Sequence, residues 1–307
     1  MIKGPVYPII LPFNNKKDID IPSLQRYISY IVDGGGKYIM VASATSRFSQ
    51  LSTEEIKTVN KVTIESTIES GGVPIASTPI SGSTKTHIEV AQQAERDGAE
   101  IVICEYPWRY QGSGPLIDYF KEIVNNTNLD VMLHVTPTRS EVETSFGKTH
   151  RYEIDDLVEI CSLPRVIGFK EAAGDPEHSE KIWRVLGKST SIIVAVAASE
   201  TFLKARPYGA TGFFTGIESI FPRFGKEVYD LILNDDKEKS SEIVSQMSDL
   251  LHSCKNFGWH AASKYCLFKL GIMGIDEREP MNPISEEAQK ILDPKIETLI
   301  DIYGQYS

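Results

Sequence analysis

Residues Arg165–Gly187 read RVIGFKEAAGDPEHSEKIWRVLG. Val166, Ile167 and Phe169 make the short apolar run that a buried strand needs. Small and charged residues follow, and SEKIWRVLG then carries apolar residues at helical spacing until a glycine stops it. The same unit recurs on either side. Upstream, VYPIILPF precedes IPSLQRYISYIVDGG, and YIMVAS precedes LSTEEIKTVNKVTIEST. VPIAST precedes TKTHIEVAQQAERDGA, EIVICEY precedes PLIDYFKEIVNN, and LDVMLHV precedes YEIDDLVEICS. Downstream, SIIVAVAA precedes SETFLKARPYG, and TGFFTG precedes SIFPRFGKEVYDLIL. Ser52 and Glu55 have the spacing of a capping box at the start of the second helix.

Eight strand–helix units with continuous apolar strands predict a parallel sheet covered on both faces and closed into an α/β, (β/α)8 TIM barrel. A doubly wound open sheet is the weaker alternative, because no glycine-rich phosphate loop follows the first strand. Beyond residue 235 the strands stop: DDKEKSSEIVSQMSDLLHSC, WHAASKYCLFKLG and SEEAQKILDPKIETLIDIY read as helices alone. The expected organisation is a catalytic barrel over 1–234 and a C-terminal helical extension over 235–307. A chain of 307 residues suits one such barrel with an extension.

The composition, 41% hydrophobic and 24% charged, is that of a globular protein, and the net charge of −10 argues against nucleic acid or an anionic membrane surface as partner. Cys104, Cys161, Cys254 and Cys266 show no metal or disulfide spacing and read as free thiols in a reducing cytoplasm. MIKGPVYPIILPFNNK has no cleavage pattern, and no apolar run is long enough for a bilayer. The six histidines are scattered over different elements, so no metal-ligand cluster is expected.

A barrel places its active site at the C-terminal ends of the strands. Those ends supply Phe13, Ser43–Arg47, Thr78, Glu105–Arg109, His134–Arg139, Lys170, Ala197–Glu200 and Thr215–Gly216, with Phe214 just before. Arg47, Arg139 and Lys170 are the cations that stand out, and His134 is the histidine. A lysine there is partly desolvated and near other cations, which favours the neutral amine that attacks carbonyls. It could instead reach solvent or pair with Glu171.

The whole chain resembles the dihydrodipicolinate synthase/N-acetylneuraminate lyase family of class I aldolases. VIGFKEAAGD is similar to the family's Schiff-base strand, LPFNNKKDIDIPSLQRYISYIVDGG to its opening, FSQLSTEE to the end of its G-T-T-G-E-x-x-x-L-[ST]-x-E-E segment, and VMLHVTPTRS to its Y-N-x-P-x-R segment. The resemblance implies that Lys170 is the catalytic nucleophile, forming a covalent imine with no cofactor or metal. It also implies a 2-oxo acid such as pyruvate as the small-molecule substrate, and a homotetramer or homodimer. Ser43, Ala44, Thr45 and Ser46 fall where the family holds the substrate carboxylate, and Arg139 falls on its substrate-side arginine.

The departures lie in the site. Ala44 takes the place of a relay threonine, Arg47 of a glutamate, His134 of the acid/base tyrosine, and Trp108 of the tyrosine exchanged between subunits. Imidazole, with a pKa near 6.5, can still move protons, so His134 is the expected catalytic acid/base. Arg47, with Arg109, is expected either to bind an extra anionic or polyhydroxyl group of the substrate or to pair with Glu105 or Glu171. Tyr106, Trp108 and Tyr110 form an aromatic group that suits a subunit contact or the pocket wall.

The expected activity is a Schiff-base lyase that cleaves or forms a C–C bond, set apart from authentic dihydrodipicolinate synthase. Sugar-derived 2-keto-3-deoxy acids are candidate substrates. The alternatives are a hydro-lyase on such an acid, or a barrel that binds a keto acid without turnover.

Overall fold

The computed structural model describes residues 1–42, 44–105, 115–135, 152–195 and 198–303. Eight strands alternate with eight helices: β1 Gly4–Pro8, α1 Ile21–Asp33, β2 Tyr38–Met40, α2 Thr53–Glu69, β3 Val73–Ser77, α3 Thr84–Arg96, β4 Ile101–Cys104, α4 Leu116–Asn126. They continue with β5 Asp130–Val135, α5 Ile154–Cys161, β6 Val166–Glu171, α6 Pro176–Leu186, β7 Ser191–Val194, α7 Ala198–Ala205, β8 Gly212–Phe214 and α8 Pro222–Leu233. The strands pair in parallel in chain order, and β1 closes on β8 through Gly4↔Gly212 and Val6↔Phe214. The barrel expected from the sequence is the fold observed.

Strand alternation splits the apolar residues into two cores. Val131, Leu133 and Val135 of β5 and Phe169 of β6 join the layer under the helices. Met132 joins Val6, Met40, Ile75, Ile103, Ile193 and Phe214 inside the barrel. His134 and Lys170 follow Met132 and Gly168 by two residues, so both stand on the inward row at the C-terminal rim. Gly168 permits that closure: a Cβ there would lie 2.2 Å from the Ser191 carbonyl oxygen on β7.

The first strand ends at Pro8, short of the apolar run to Phe13, because Ile9–Phe13 turns across the barrel top as buried chain and Phe13 pairs in an isolated bridge with Ile19. The capping box forms: Ser52 Oγ accepts from Glu55 N at 3.2 Å, and Ser52 N donates to Glu55 Oε2 at 2.9 Å. All four cysteines are free thiols. Among the described residues no helix is long and apolar enough to cross a membrane.

Three helices follow the barrel: α9 Lys237–Asn256, α10 Trp259–Lys269 and α11 Glu286–Tyr303. They bury Met247 and Leu250, Tyr265 and Leu267, and Leu292 and Ile296 against the core. The loop after α10 is bolted to the barrel. Arg278 donates to the carbonyls of Lys17 and Gln50 and to Glu55 Oε1, and its guanidinium lies 4.7 Å from the Phe13 ring centroid.

Candidate active site

Lys170 is only 6% exposed, and its Nζ sits 3.6 Å above the centroid of the Phe214 ring. Phe214 is the last residue of β8 and also faces inward. Burial pulls the amine down to about 8, against an opposing pull upward from the Glu105 carboxylate. The neighbouring acid in sequence, Glu171, points to the other face. Its Oε1 accepts from Ala173 N at 2.8 Å and Ser179 Oγ at 2.9 Å. Glu171 thus organises the turn into α6 and is not the lysine's ion-pair partner.

His134 on β5 is the register partner of Lys170 on β6. Its Nδ1 lies 2.8 Å from both carboxylate oxygens of Glu105, the residue that follows β4. An ionised carboxylate only accepts, so this contact puts the proton on Nδ1 and the lone pair on Nε2. Burial holds the imidazole below its ordinary value, Glu105 works in the opposite direction, and Lys170 adds to the lowering. Glu105 is held in turn by its backbone: its N–H donates to Thr78 Oγ1 at 2.9 Å, and Tyr119 OH donates to its carbonyl at 2.8 Å. His87 Nδ1 sits 2.5 Å from the same Tyr119 oxygen. The pair is therefore fixed from three neighbouring strands and from α4.

The turn after β2 divides the residues expected to meet a carboxylate. Ser46 is engaged by the backbone: its Oγ donates to Ile9 O at 3.0 Å and accepts from Ala42 N at 3.1 Å, and its N–H donates to Ala42 O. Ser46 ties β2 to the chain after β1 and has no donor left for a substrate. Ala44 is exposed, while Thr45 is half-buried and lines a cavity at the barrel top.

Arg47 departs from both expectations for it. It adopts a left-handed backbone, φ 59°, and is 3% exposed. Both its terminal nitrogens bind the carboxylate of Glu277, Nη1 to Oε2 and Nη2 to Oε1, the latter at 2.9 Å. The ion-pair partner is thus Glu277 in the loop after α10, not Glu105 or Glu171, and the guanidinium is held rather than open at the pocket mouth. Lys264 Nζ also donates to Glu277 Oε2 at 3.1 Å and to Asp276 O at 2.7 Å. Burial, then the Arg47 charge, bring that amine down to about 6, and the Glu277 carboxylate meets both it and the Arg47 guanidinium.

Ser43, Tyr106, Trp108, Arg109, Tyr110, Arg139 and Ala197 lie outside the described residues. Two functional side chains escaped the sequence reading. Glu105 was visible as a strand-end residue, but only β4–β5 adjacency reveals its contact with His134. Glu277 has no local signal at all.

The cavity that Thr45 lines holds about 200 Å3. Phe214 at the end of β8, Thr215 and Glu218 after it, Ala195 and Ser199 around β7, and Val244, Met247 and Leu251 of α9 complete much of its wall. Phe214 therefore serves both spaces, carrying the Lys170 amine on its ring and forming part of this wall.

The model of the dihydrodipicolinate synthetase family matches residues 1–299. The 4-hydroxy-tetrahydrodipicolinate synthase of Bartonella tribocorum is 26% identical over 296 residues, covering 95% of this chain and 96% of the relative. Among solved structures, the 4-hydroxy-tetrahydrodipicolinate synthase of Methylacidiphilum fumariolicum SolV superposes with TM-score 0.84 at 21% identity, covering 99% of both chains. The N-acetylneuraminate lyase of Fusobacterium nucleatum superposes with TM-score 0.83 at 21% identity, covering 98% of both.

Proposed function

This chain belongs to the dihydrodipicolinate synthetase family of class I aldolase-type lyases, and on that premise we propose that it forms a Schiff base between Lys170 and a 2-oxo acid such as pyruvate. The observation that carries the proposal is the register of β5 and β6, which puts a buried amine beside a buried imidazole–carboxylate pair. The neutral amine adds to the keto carbon, and loss of water leaves a protonated imine. His134 Nε2 then takes a proton from C3, and the electron pair moves into the imine to give an enamine. C3 of the enamine bonds to the carbonyl carbon of an acceptor, whose oxygen takes up a proton. Water hydrolyses the imine and frees Lys170. Cleavage runs the same steps in reverse. Thr45, at the barrel rim, is assigned to the substrate carboxylate.

The reaction is set apart from the condensation for which the curated relatives are named. Support comes from Ala44, which offers no hydroxyl where the family pattern carries a threonine, and from His134 in place of the tyrosine. An imidazole on a Glu105 anchor, held by burial below its ordinary value, replaces a phenol whose ordinary pKa is about 10. The test is reduction with borohydride in the presence of pyruvate. A mass increment on Lys170, absent in Lys170→Ala, is the expected result. No adduct with pyruvate or with several other 2-oxo acids would overturn the proposal. Product analysis then separates C–C bond chemistry from loss of water.

A further inference from the structure

The cavity that Thr45 and Phe214 line has a chemical character of its own. On the side away from the strands it is walled by Ile217, Phe224, Val244, Met247, Leu251 and Trp259. Phe224, Met247 and Ile217 are 1–2% exposed, so this wall belongs to the packed interior. Apart from Thr45 at the rim, its hydroxyls are already engaged. Thr215 Oγ1 and Ser219 Oγ bond each other at 2.5 Å, Ser199 Oγ donates to Glu218 Oε1 at 3.2 Å, and Ser248 Oγ donates to Val244 O at 3.0 Å. Glu218 Oε2 accepts from Gly216 N at 2.8 Å, so each oxygen of that buried carboxyl has a donor. Glu200 and Lys255 line the cavity as exposed residues. A polyhydroxyl chain entering here would exchange its water for a mainly apolar wall with few donors to spare.

We infer that this cavity receives an apolar arm of the second substrate: an alkyl or aryl aldehyde in condensation, or the same group on C4 of a 4-hydroxy-2-oxo acid in cleavage. The inference rests on the Schiff-base reading above and differs from the sugar-acid substrate that the sequence suggests. Shape agrees with chemistry, since an apolar cavity of about 150 Å3 already holds a benzene ring and this one measures about 200 Å3. The balance is that of an aldol addition. C3 of the pyruvate enamine bonds to the aldehyde carbon, the aldehyde oxygen takes the proton removed from C3, and water releases the 4-hydroxy-2-oxo acid. No oxidant, reductant or leaving group is involved.

The test uses the full-length protein with pyruvate and four acceptors: benzaldehyde and pentanal against glyceraldehyde and erythrose. A kcat/KM at least tenfold higher for the apolar pair is expected. Leu251→Trp and, independently, Val244→Trp fill the cavity from α9 and should raise the benzaldehyde KM about tenfold, with the pyruvate KM as internal reference. Binding of 4-fluorobenzyl alcohol, which forms no imine, is followed by fluorine NMR and should be lost in both variants. If pyruvate gives no borohydride adduct, the Schiff-base reading itself fails. If the adduct forms but the hydroxylated acceptors are preferred, or the probe binds equally well to both filled variants, the apolar-arm inference alone is overturned.

Discussion

Replacing Glu105 with glutamine separates two effects that the site combines. The Glu105 carboxylate raises the Lys170 pKa by its charge and orients His134 through Nδ1 at 2.8 Å. With the amine at about 8, about one lysine in eleven is neutral at pH 7, against about one in three thousand at the ordinary 10.5, a roughly 300-fold gain in nucleophile. In Glu105→Gln the burial remains and the opposing charge is gone, so the amine pKa must fall further. Imine formation should therefore not suffer. The imidazole, however, loses the acceptor that fixes its tautomer, and an amide can donate to Nδ1 and move the ring proton to Nε2. Borohydride trapping of pyruvate on Lys170 should then be at least as fast as in the wild type at pH 7, with a profile midpoint below about 8. Deuterium exchange into C3 of pyruvate, read by proton NMR, should fall about 10²- to 10³-fold, the share a positioned acid/base supplies. A midpoint at or above the wild-type value, or exchange that continues undiminished, would refute the roles given to both residues.

Other consequences follow from burial and packing. Folded Lys170 binds fewer protons than unfolded Lys170 between about pH 8 and 10.5, so its burial costs about 3 kcal/mol below pH 8 and less as pH rises through that window. Lys170→Met should stabilise the fold by up to that amount at pH 7 and by much less at pH 9.5, as urea unfolding at the two pH values will show. Glu277→Gln leaves the Arg47 guanidinium, 3% exposed, without its counter-charge and should cost about 3–5 kcal/mol. Adding Arg47→Met should recover most of that loss in thermal unfolding. Gly168→Ala drives a methyl group against the Ser191 carbonyl; a loss above about 4 kcal/mol, or failure to fold, is expected, because neither strand can move without opening the barrel. Ser52→Ala removes the α2 cap and should cost about 1 kcal/mol in denaturant unfolding.

Much of the frame was legible because it is written locally. Apolar runs with helical stretches between them identify the barrel, and the rule that barrels work at their strand ends singles out Lys170 and His134. Lys170 and His134 become neighbours once the strands are known to pair in order, since each ends its own inward row. The His134–Glu105 contact needs one step more: which way Glu105 turns after β4 is decided by Thr78 and Tyr119, which lie 27 residues before it and 14 after it. Glu277, 230 residues from Arg47, leaves no periodicity or spacing to read. The apolar cavity is equally silent, because its outer wall is α9, whose packing on the barrel is set by tertiary contact alone.

The departures from the family pattern at Arg47 and His134 therefore carry different weight. Arg47 brings a positive charge to the turn after β2, and Glu277 meets it from the loop after α10, inside a buried pair that Lys264 completes. That change is answered within the protein and bonds no atom of the amine's surroundings. His134 is answered by Glu105, which follows the adjacent strand, and this pair faces the inward row where Lys170 stands. A substitution balanced at a distance preserves the fold, whereas one balanced beside the nucleophile alters the proton inventory of the reaction. The difference in chemistry proposed above is therefore to be tested at His134 and Glu105, and in the apolar cavity behind Phe214, rather than at the arginine whose charge reversal first draws the eye.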